Sequence, residues 1–421
     1  MKPVRFIHCA DLHIDSPFKG ISEIHPDLGE SLYQSPYQSF NNIVDLAIRE
    51  KVDCVLISGD IYDSADKSLR AQLKFRDGLN RLSNKGISTF IVCGNHDPLN
   101  GWSATLEWPE DVFMLSGDGV ECVPLQKNGE VIAQIYGISF AKRDIYENLA
   151  LKFPRVDENV PCIGLLHTNI GTNTGHIPYS PCTIEDLSTR GMDYWALGHI
   201  HVHTILKTSN PAIVYSGCSQ SRHPGEIGEK GCCLVTLESG TAPDIQFIPT
   251  DIIRHKSDVI DIANCITIDD VISSIEKKCE EIVTNMGERH AIIRLSLIGR
   301  TDLHTELHKG NIVGDILERV REDFEGRTPW IWLEKLILTT AGTYDLETLR
   351  RGNDFIADII SIYDELEDAE SESWQEIQGT LAILFSNWQG KNYIEELSKE
   401  ELLELAREAR GLTLDKLIVT E

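Results

Sequence analysis

Val4-Arg5-Phe6-Ile7-His8-Cys9-Ala10-Asp11-Leu12-His13 is a run of apolar and β-branched residues that breaks into Asp-x-His. A short apolar run bounded by polar residues reads as a strand buried on both faces. The same figure recurs along the chain. Asp53 to Ser58 precedes Gly59-Asp60, Ser88 to Cys93 precedes Gly94-Asn95-His96-Asp97, Cys162 to Leu166 precedes His167, and Tyr194 to Leu197 precedes Gly198-His199-Ile200-His201. Open α/β sheets gather the loops beyond the carboxyl ends of their strands along one edge, where ligands bind. Side chains far apart in sequence are therefore expected to meet at one point.

The residue types say what they would build there. Carboxylate, imidazole and amide oxygen, with no thiolate among them, suit borderline ions such as Mn²⁺, Fe²⁺ or Zn²⁺. A carboxylate shared by two cations holds them about 4 Å apart, a spacing at which the pair activates a water and neutralises a transferring phosphoryl group. The chemistry implied is hydrolysis of a phosphate ester. A lone Asp-x-His or Gly-Asp arises often by chance; a whole ordered set, each member placed after a strand-like run, does not.

The order D-x-H, GD, GNH-D/E, H, GH-x-H resembles the calcineurin-like metallophosphoesterase superfamily. By that resemblance Asp11, His13 and His201 hold one metal, Asn95, His167 and His199 the other, Asp60 bridges them, and His96 is the catalytic acid. The stretches Phe6 to Pro17, Asp193-Tyr194-Trp195-Ala196-Leu197-Gly198-His199 and Gln220-Ser221-Arg222-His223-Pro224-Gly225-Glu226 narrow the likeness to the SbcD/YhaO-like DNA-repair exonucleases of bacteria. It covers roughly residues 1 to 250 in detail. It implies two divalent metal ions, Mn²⁺ foremost, a DNA substrate, an SbcC-like coiled-coil ATPase as partner, and room for a homodimer.

Departures and secondary candidates bound this reading. Protein phosphatases of the superfamily carry Asp-Arg-Gly in the second motif and GNHE in the third, whereas this chain reads Gly59-Asp60-Ile61-Tyr62-Asp63-Ser64 and Gly94-Asn95-His96-Asp97. A protein phosphatase is disfavoured. Nuclease relatives in archaea and eukaryotes commonly place a histidine where Asp63 stands, so no role of that histidine carries over. His8 and His223 are weighed as partners that orient ligands, His8 equally as a plain strand residue. Arg222 is weighed as a phosphate contact against a surface salt bridge, and His176, in the loop 169–176, reads as solvated.

At 421 residues the chain exceeds one usual core. Residues 1–255 are expected to form the nuclease domain, an α/β sandwich of two sheets flanked by helices. Helices are expected near Tyr37 to Glu50 and Ser68 to Asn84, and a hairpin turns at Asn128-Gly129. Residues 256–340 alternate strands with helices and look like a small α/β capping domain. Residues 341–421 read as an acidic helical segment, a candidate partner-binding region, with a partly apolar face over Leu397, Leu402, Leu403, Leu405, Ala406 and Ala409. The chain passes from Met1-Lys2-Pro3 directly into a strand, no run approaches membrane-spanning length, and the 11 cysteines lack C-x-x-C pairs. A soluble cytoplasmic enzyme with reduced thiols is the expectation.

Charge pulls against the nuclease reading. A net charge of −27 opposes unaided binding to a polyanion. Residues 344–421 carry 19 acidic against 7 basic side chains, a net of −12, so the tail holds much of the imbalance. Local basic positions remain at Lys142-Arg143, Arg289-His290, Arg294 and Arg300. The favoured function is a two-metal DNA exonuclease. The alternative is a nucleotide or cyclic-nucleotide phosphoesterase acting on small molecules, and a non-catalytic scaffold is disfavoured because every ligand is retained.

Overall fold

In a computed structural model the described residues are 3–16, 26–64, 67–156, 159–171, 178–238, 240–352, 354–367, 371, 374–377, 379–380 and 399–418. Strands β1 (Val4–Cys9), β2 (Cys54–Ser58), β3 (Ser88–Val92) and β4 (Val112–Met114) run parallel in one sheet. β11 (Gly231–Leu237) and β12 (Asp244–Pro249) extend it antiparallel on the far side of β1, giving the order β12-β11-β1-β2-β3-β4. The second sheet, β5-β6-β7-β8-β10-β9, has a parallel centre of β6 (Glu130–Ile138), β7 (Cys162–His167), β8 (Tyr194–Gly198) and β10 (Ala212–Tyr215). Its edges are β5 (Glu121–Lys127) and β9 (Thr204–Thr208), both antiparallel, and the short helix α3 (Ile184–Ser188) precedes β8. This is the two-sheet sandwich flanked by helices expected from the apolar runs.

Alternation along the strands explains the layering. Phe6, Leu56 and Phe90 from the first sheet meet Ile135, Leu165 and Ala196 from the second in one buried cluster between the sheets. Ile7, Val55, Ile57 and Ile91 face the other way and pack under α1 (Pro26–Glu50) and α2 (Leu69–Ser83). Full burial of each such side chain stabilises the fold by about 1.5–3 kcal/mol. α2 begins as expected, its first turn capped by Ser68 Oγ accepting from Ala71 N at 3.1 Å. α1 begins at Pro26 rather than near Tyr37. Pro36 reads as a breaker in sequence, yet it lies inside the helix, where the buried face of Leu32, Ser35, Tyr37 and Phe40 outweighs its cost. Asn128 and Gly129 turn the β5–β6 hairpin with φ of 55° and 82°, the conformation a two-residue turn needs.

A third sheet, β13-β14-β15, comprises Ile253–Asp261, His290–Arg300 and Ile331–Ala341, with α4 (Ile268–Thr284), the single turn α5 (His304–Leu307) and α6 (Ile312–Asp323) between its strands. By internal contacts the chain divides into two units. The first is Met1–Ser257 with Glu281–Ile293 and Glu325–Trp332; the second is Asp258–Glu280 with Arg294–Phe324 and Leu333–Glu421. Within the second unit α7 (Leu346–Arg350), α8 (Phe355–Glu367) and α9 (Lys399–Leu417) follow, a helical carboxyl-terminal segment. α9 lies against α8: Tyr363 Oη and Thr413 Oγ1 are 2.9 Å apart, Arg410 reaches Asp364 at 3.4 Å, and Leu414 is fully buried. Leu402, Leu403, Ala406 and Ala409 are half-buried there while Leu405 is exposed, and Leu397 lies outside the described residues. No described helix is long and apolar enough to cross a membrane.

Candidate metal centre

The loops after β1 and β2 run side by side, because Asp11 N–H donates to Gly59 O (3.0 Å), His13 N–H to Asp60 O (3.1 Å) and Ile14 N–H to Ile61 O (2.9 Å). These bonds hold Asp11, His13 and Asp60 at φ of 52°, 43° and 52°, and His199 sits at 101°. Non-glycine residues rarely adopt positive φ, and strain of this kind concentrates at functional sites. Gly94 is required for space: a Cβ there would run into Asp60 Oδ1 and come within 2.8 Å of His167 Cε1. Asp97 ties the third loop to the second, its two oxygens accepting from Gly94 N and Ile61 N at 2.8 Å each.

Two overlapping groups of donor atoms result, each within 4.8 Å: Asp11 with Asp60 and His167, and Asp11 with His13 and His201. His167 is fully buried, with Nδ1 2.9 Å from Ser58 O and Nε2 3.0 Å from Asn95 Oδ1 and 3.4 Å from Asp60 Oδ2. With Nδ1–H donating to the Ser58 carbonyl, the Nε2 lone pair faces two further lone-pair oxygens, an arrangement that calls for a cation among them. His13, also fully buried, makes no well-directed hydrogen bond from either ring nitrogen; Nδ1 lies 3.2 Å from Asp63 Oδ1 and Nε2 3.9 Å from Asp60 Oδ2. His201 Nδ1 is held by Glu226 Oε1 at 2.6 Å. His199 donates its backbone N–H to both Asp11 oxygens at 3.1 Å, and its ring lies 5.2 Å from that of His167. The structure thus gathers Asp11, His13, Asp60, Asn95, His167, His199 and His201 around one point.

Electrostatics give the same answer. Burial, reinforced by Asp60, pushes the Asp11 carboxyl up against the opposing pull of His201 and His167. Burial with the nearby Arg222 charge drops His13 to about 3, so its ring is neutral, as a ligand must be. Burial lowers His167, but the charge of Asp60 and the bond to it raise it to about 9. Left to protein groups alone, the buried carboxylates recruit a proton onto His167. Divalent cations held by these residues would supply that positive charge instead, and the donor set fits two of them.

His96 stands at the edge of this cluster. Its backbone N–H donates to Asp60 Oδ1 (2.9 Å), its Nδ1 lies 2.8 Å from Asp63 O, and its ring meets His13 edge-on at 5.0 Å. It lines an open cleft of about 510 Å³ with Asp60, His199, His201, Arg222 and Lys230.

Several groups around the centre escape a reading by spacing. Glu226 holds His201, and Arg222, which lines the cleft, is ion-paired to Asp63. His223 reaches Glu226 Oε1 at 3.4 Å and so supports the same carboxylate. His8 touches no ligand. It bridges the two sheets, with Tyr194 Oη at 3.0 Å and Leu197 O at 3.2 Å, and burial drops it to about 3. His176 lies outside the described residues. Of the basic positions, Arg289 pairs with Asp251 (2.5 Å), Arg294 with Glu334 (2.6 Å) and Arg300 with Asp415 (2.8 Å).

Comparison with known proteins agrees with this geometry. Residues 4–203 match the calcineurin-like phosphoesterase family, and residues 257–341 match the middle domain of the metallophosphoesterase YhaO. The chain is 36% identical over 354 residues to the "Uncharacterized metallophosphoesterase YhaO" of Bacillus subtilis, covering 82% of this chain and 84% of that protein. It is 27% identical over 313 residues to the DNA double-strand break repair protein Mre11 of Sulfurisphaera tokodaii (72% and 75% covered). Against the protein of the same name from Thermoplasma acidophilum it is 25% identical over 314 residues (71% and 78% covered).

Proposed function

This chain belongs to the calcineurin-like metallophosphoesterases, and from that premise we propose that it is a two-metal phosphodiesterase acting on DNA, an exonuclease of SbcD/YhaO type that works with an SbcC-like ATPase. The observation that carries the reading is the pair of donor groups sharing Asp11 beside Asp60. Asp11, His13 and His201 are assigned to one metal, Asn95, His167 and His199 to the other, and Asp60 to both. When bound, two such cations, Mn²⁺ foremost, supply an activated water and take up phosphoryl charge.

The protein groups do the rest. Glu226 and the Ser58 carbonyl fix the tautomers of His201 and His167, so that Nε2 of each is the ligating atom. His96 is the acid. Its Nδ1–H donates to the Asp63 carbonyl, the Asp63 carboxylate lies 3.9 Å from the same nitrogen, and Nε2 is left to face the departing alkoxide and hand it a proton. Arg222, drawn to Asp63, keeps a guanidinium on the cleft wall. The division into nuclease domain 1–255, capping domain 256–340 and partner-binding segment 341–421 is part of the same proposal, as are a homodimer and a cytoplasmic location.

The DNA substrate is supported by the kinship with break-repair proteins. The net charge of −27 favours the second reading, a nucleotide or cyclic-nucleotide phosphoesterase. A panel of DNA ends, nicked DNA, cyclic nucleotides and nucleoside monophosphates, assayed with Mn²⁺, separates the two. Cleavage from DNA ends is expected; robust mononucleotide hydrolysis with no DNA cleavage overturns the reading.

A further inference from the structure

We infer that the rim formed by the loops after β3 and β6 is a single-strand binding site, in which Tyr146 stacks on a nucleobase and Lys142 and Arg143 hold the flanking phosphates. The inference rests on the DNA reading above and extends it to the path by which a strand reaches the metal centre.

Two loops from different sheets are clamped together here. Phe140 N–H donates to Cys93 O (3.0 Å), Leu99 N–H to Phe140 O (2.9 Å) and Asn100 N–H to Ala141 O (3.2 Å). The first of these loops carries His96 and, beyond Asn100, Trp102, which is 52% exposed. The second continues as Lys142-Arg143-Asp144-Ile145-Tyr146. Ile145 is buried and Ser180 N–H donates to its carbonyl at 2.7 Å, so the segment is anchored while its neighbours project.

Tyr146 is 60% exposed, an unusual state for a tyrosine, and its ring lies stacked on Tyr179 with centroids 5.8 Å apart and planes at 21°. Tyr179 is buried, and its ring also lies edge-on to that of His199 at 5.9 Å. The outermost ring of a pile resting on an assigned metal ligand therefore presents a free face, two ring steps from the chemistry. A base laid on that face continues the pile.

Charge and its absence favour the same occupant. Lys142 and Arg143 are exposed and, among the described residues, make no ion pair, unlike Arg289, Arg294 and Arg300. The acids of this segment are engaged: Glu147 by Lys152 at 2.6 Å, and Asp144 by the Tyr179 hydroxyl, which donates to it at 3.4 Å. A chain of net charge −27 gains little from its overall field when binding a polyanion, so its grip must come from local cations and from stacking, which is indifferent to net charge. Every base offers a π-face, and the site is sequence-tolerant for that reason.

The test uses the full chain with a fluorescein-labelled twelve-residue oligothymidylate, an abasic strand of the same length, and methyl 4-nitrophenyl phosphate as a small diester. Tyr146→Ala is expected to weaken binding of the oligothymidylate, measured by anisotropy in EDTA, by about tenfold. It should lower the ratio of oligonucleotide to reporter turnover by a similar factor, and Tyr146→Phe should restore both. Wild-type protein should bind the abasic strand about as weakly as Tyr146→Ala binds the oligothymidylate. Replacing Lys142 and Arg143 together by serine should flatten the slope of log affinity against log salt by about 1.4, roughly 0.7 per lost phosphate contact. Equal affinity of wild type for the thymidylate and abasic strands, or a Tyr146→Ala chain that binds and cleaves as wild type does, overturns the inference. If wild type binds the strand through Tyr146 but cleaves only mononucleotides, the nuclease reading fails while the site stands.

Discussion

Glu226 Oε1 lies 2.6 Å from Nδ1 of His201, and Glu226 Oε2 accepts the Arg222 backbone N–H at 2.6 Å, so one buried carboxylate fixes both a ligand ring and the loop beside it. Loss of the negative charge weakens the hold on the His201 ring and frees it to rotate. Glu226→Gln is expected to lower Mn²⁺ affinity by about 10- to 100-fold. Equilibrium dialysis against Mn²⁺ checks this; unchanged affinity contradicts the assignment.

His96 touches Asp60 through its backbone and the Asp63 carbonyl through its ring, and neither contact makes it a required ligand. His96→Ala should therefore keep the full metal content while turnover on a poor leaving group falls by about 10²- to 10⁴-fold. Metal analysis and kinetics on the same sample decide it. A variant that loses its metals, or cleaves at the normal rate, ends the acid role.

Gly94 has no room for a methyl group, because Asp60 and His167 close over it. Gly94→Ala should displace the carboxylate assigned to both metals, giving a chain that folds, with two-sheet circular dichroism intact, yet holds less than one Mn²⁺. Full occupancy would show that the loop yields without cost to the centre.

Chelation should destabilise the chain, since Asp11 and Asp60 are buried side by side. At 100-fold excess over the dissociation constant a bound ligand adds about 2.7 kcal/mol, or roughly 5–10 °C in melting temperature for a domain of this size. Scanning calorimetry with EDTA and after Mn²⁺ return measures it. Asp60→Ala should show little response to EDTA; a response equal to wild type would remove Asp60 from the centre.

Truncation after Ala341 removes α7, α8 and α9, which pack on one another within the second unit. The shortened chain is expected to hydrolyse a small diester but fail to co-purify with a cognate SbcC-like ATPase. Retained binding would place the partner surface elsewhere.

The strands were legible because β1, β2, β3, β7 and β8 are buried on both faces and so read as unbroken apolar runs. The ligand residues followed from them, since parallel strands deliver their next residues to a common edge. The roles of Asp63, Asp97 and Glu226 were not legible by pattern. Each acts through a partner dozens of residues away or through a loop whose path tertiary hydrogen bonds set: Asp97 reaches Ile61, and Asp63 reaches Arg222. The positive φ of Asp11, His13, Asp60 and His199 is likewise imposed by neighbouring backbone and not by local preference. The helix start expected near Tyr37 falls short of Pro26 for the opposite reason: proline disfavours a helix interior, but packing of the helix overrides that rule at Pro36.

β1 pairs along one edge with β2 and along the other with β11, from Val4 opposite Leu237 to His8 opposite Cys233. During translation, every residue assigned to the metals has been synthesised by His201, well before Gly231 begins the strand that closes that edge. A nascent chain at that stage carries all the assigned ligands, yet β1 still shows the ribosome's surroundings a row of unpaired amides and carbonyls. Completion of the first sheet, and with it a firm seat for Asp11 and His13, waits on the arrival of β11. The order of synthesis thereby delays the assembled donor set until most of its scaffold exists.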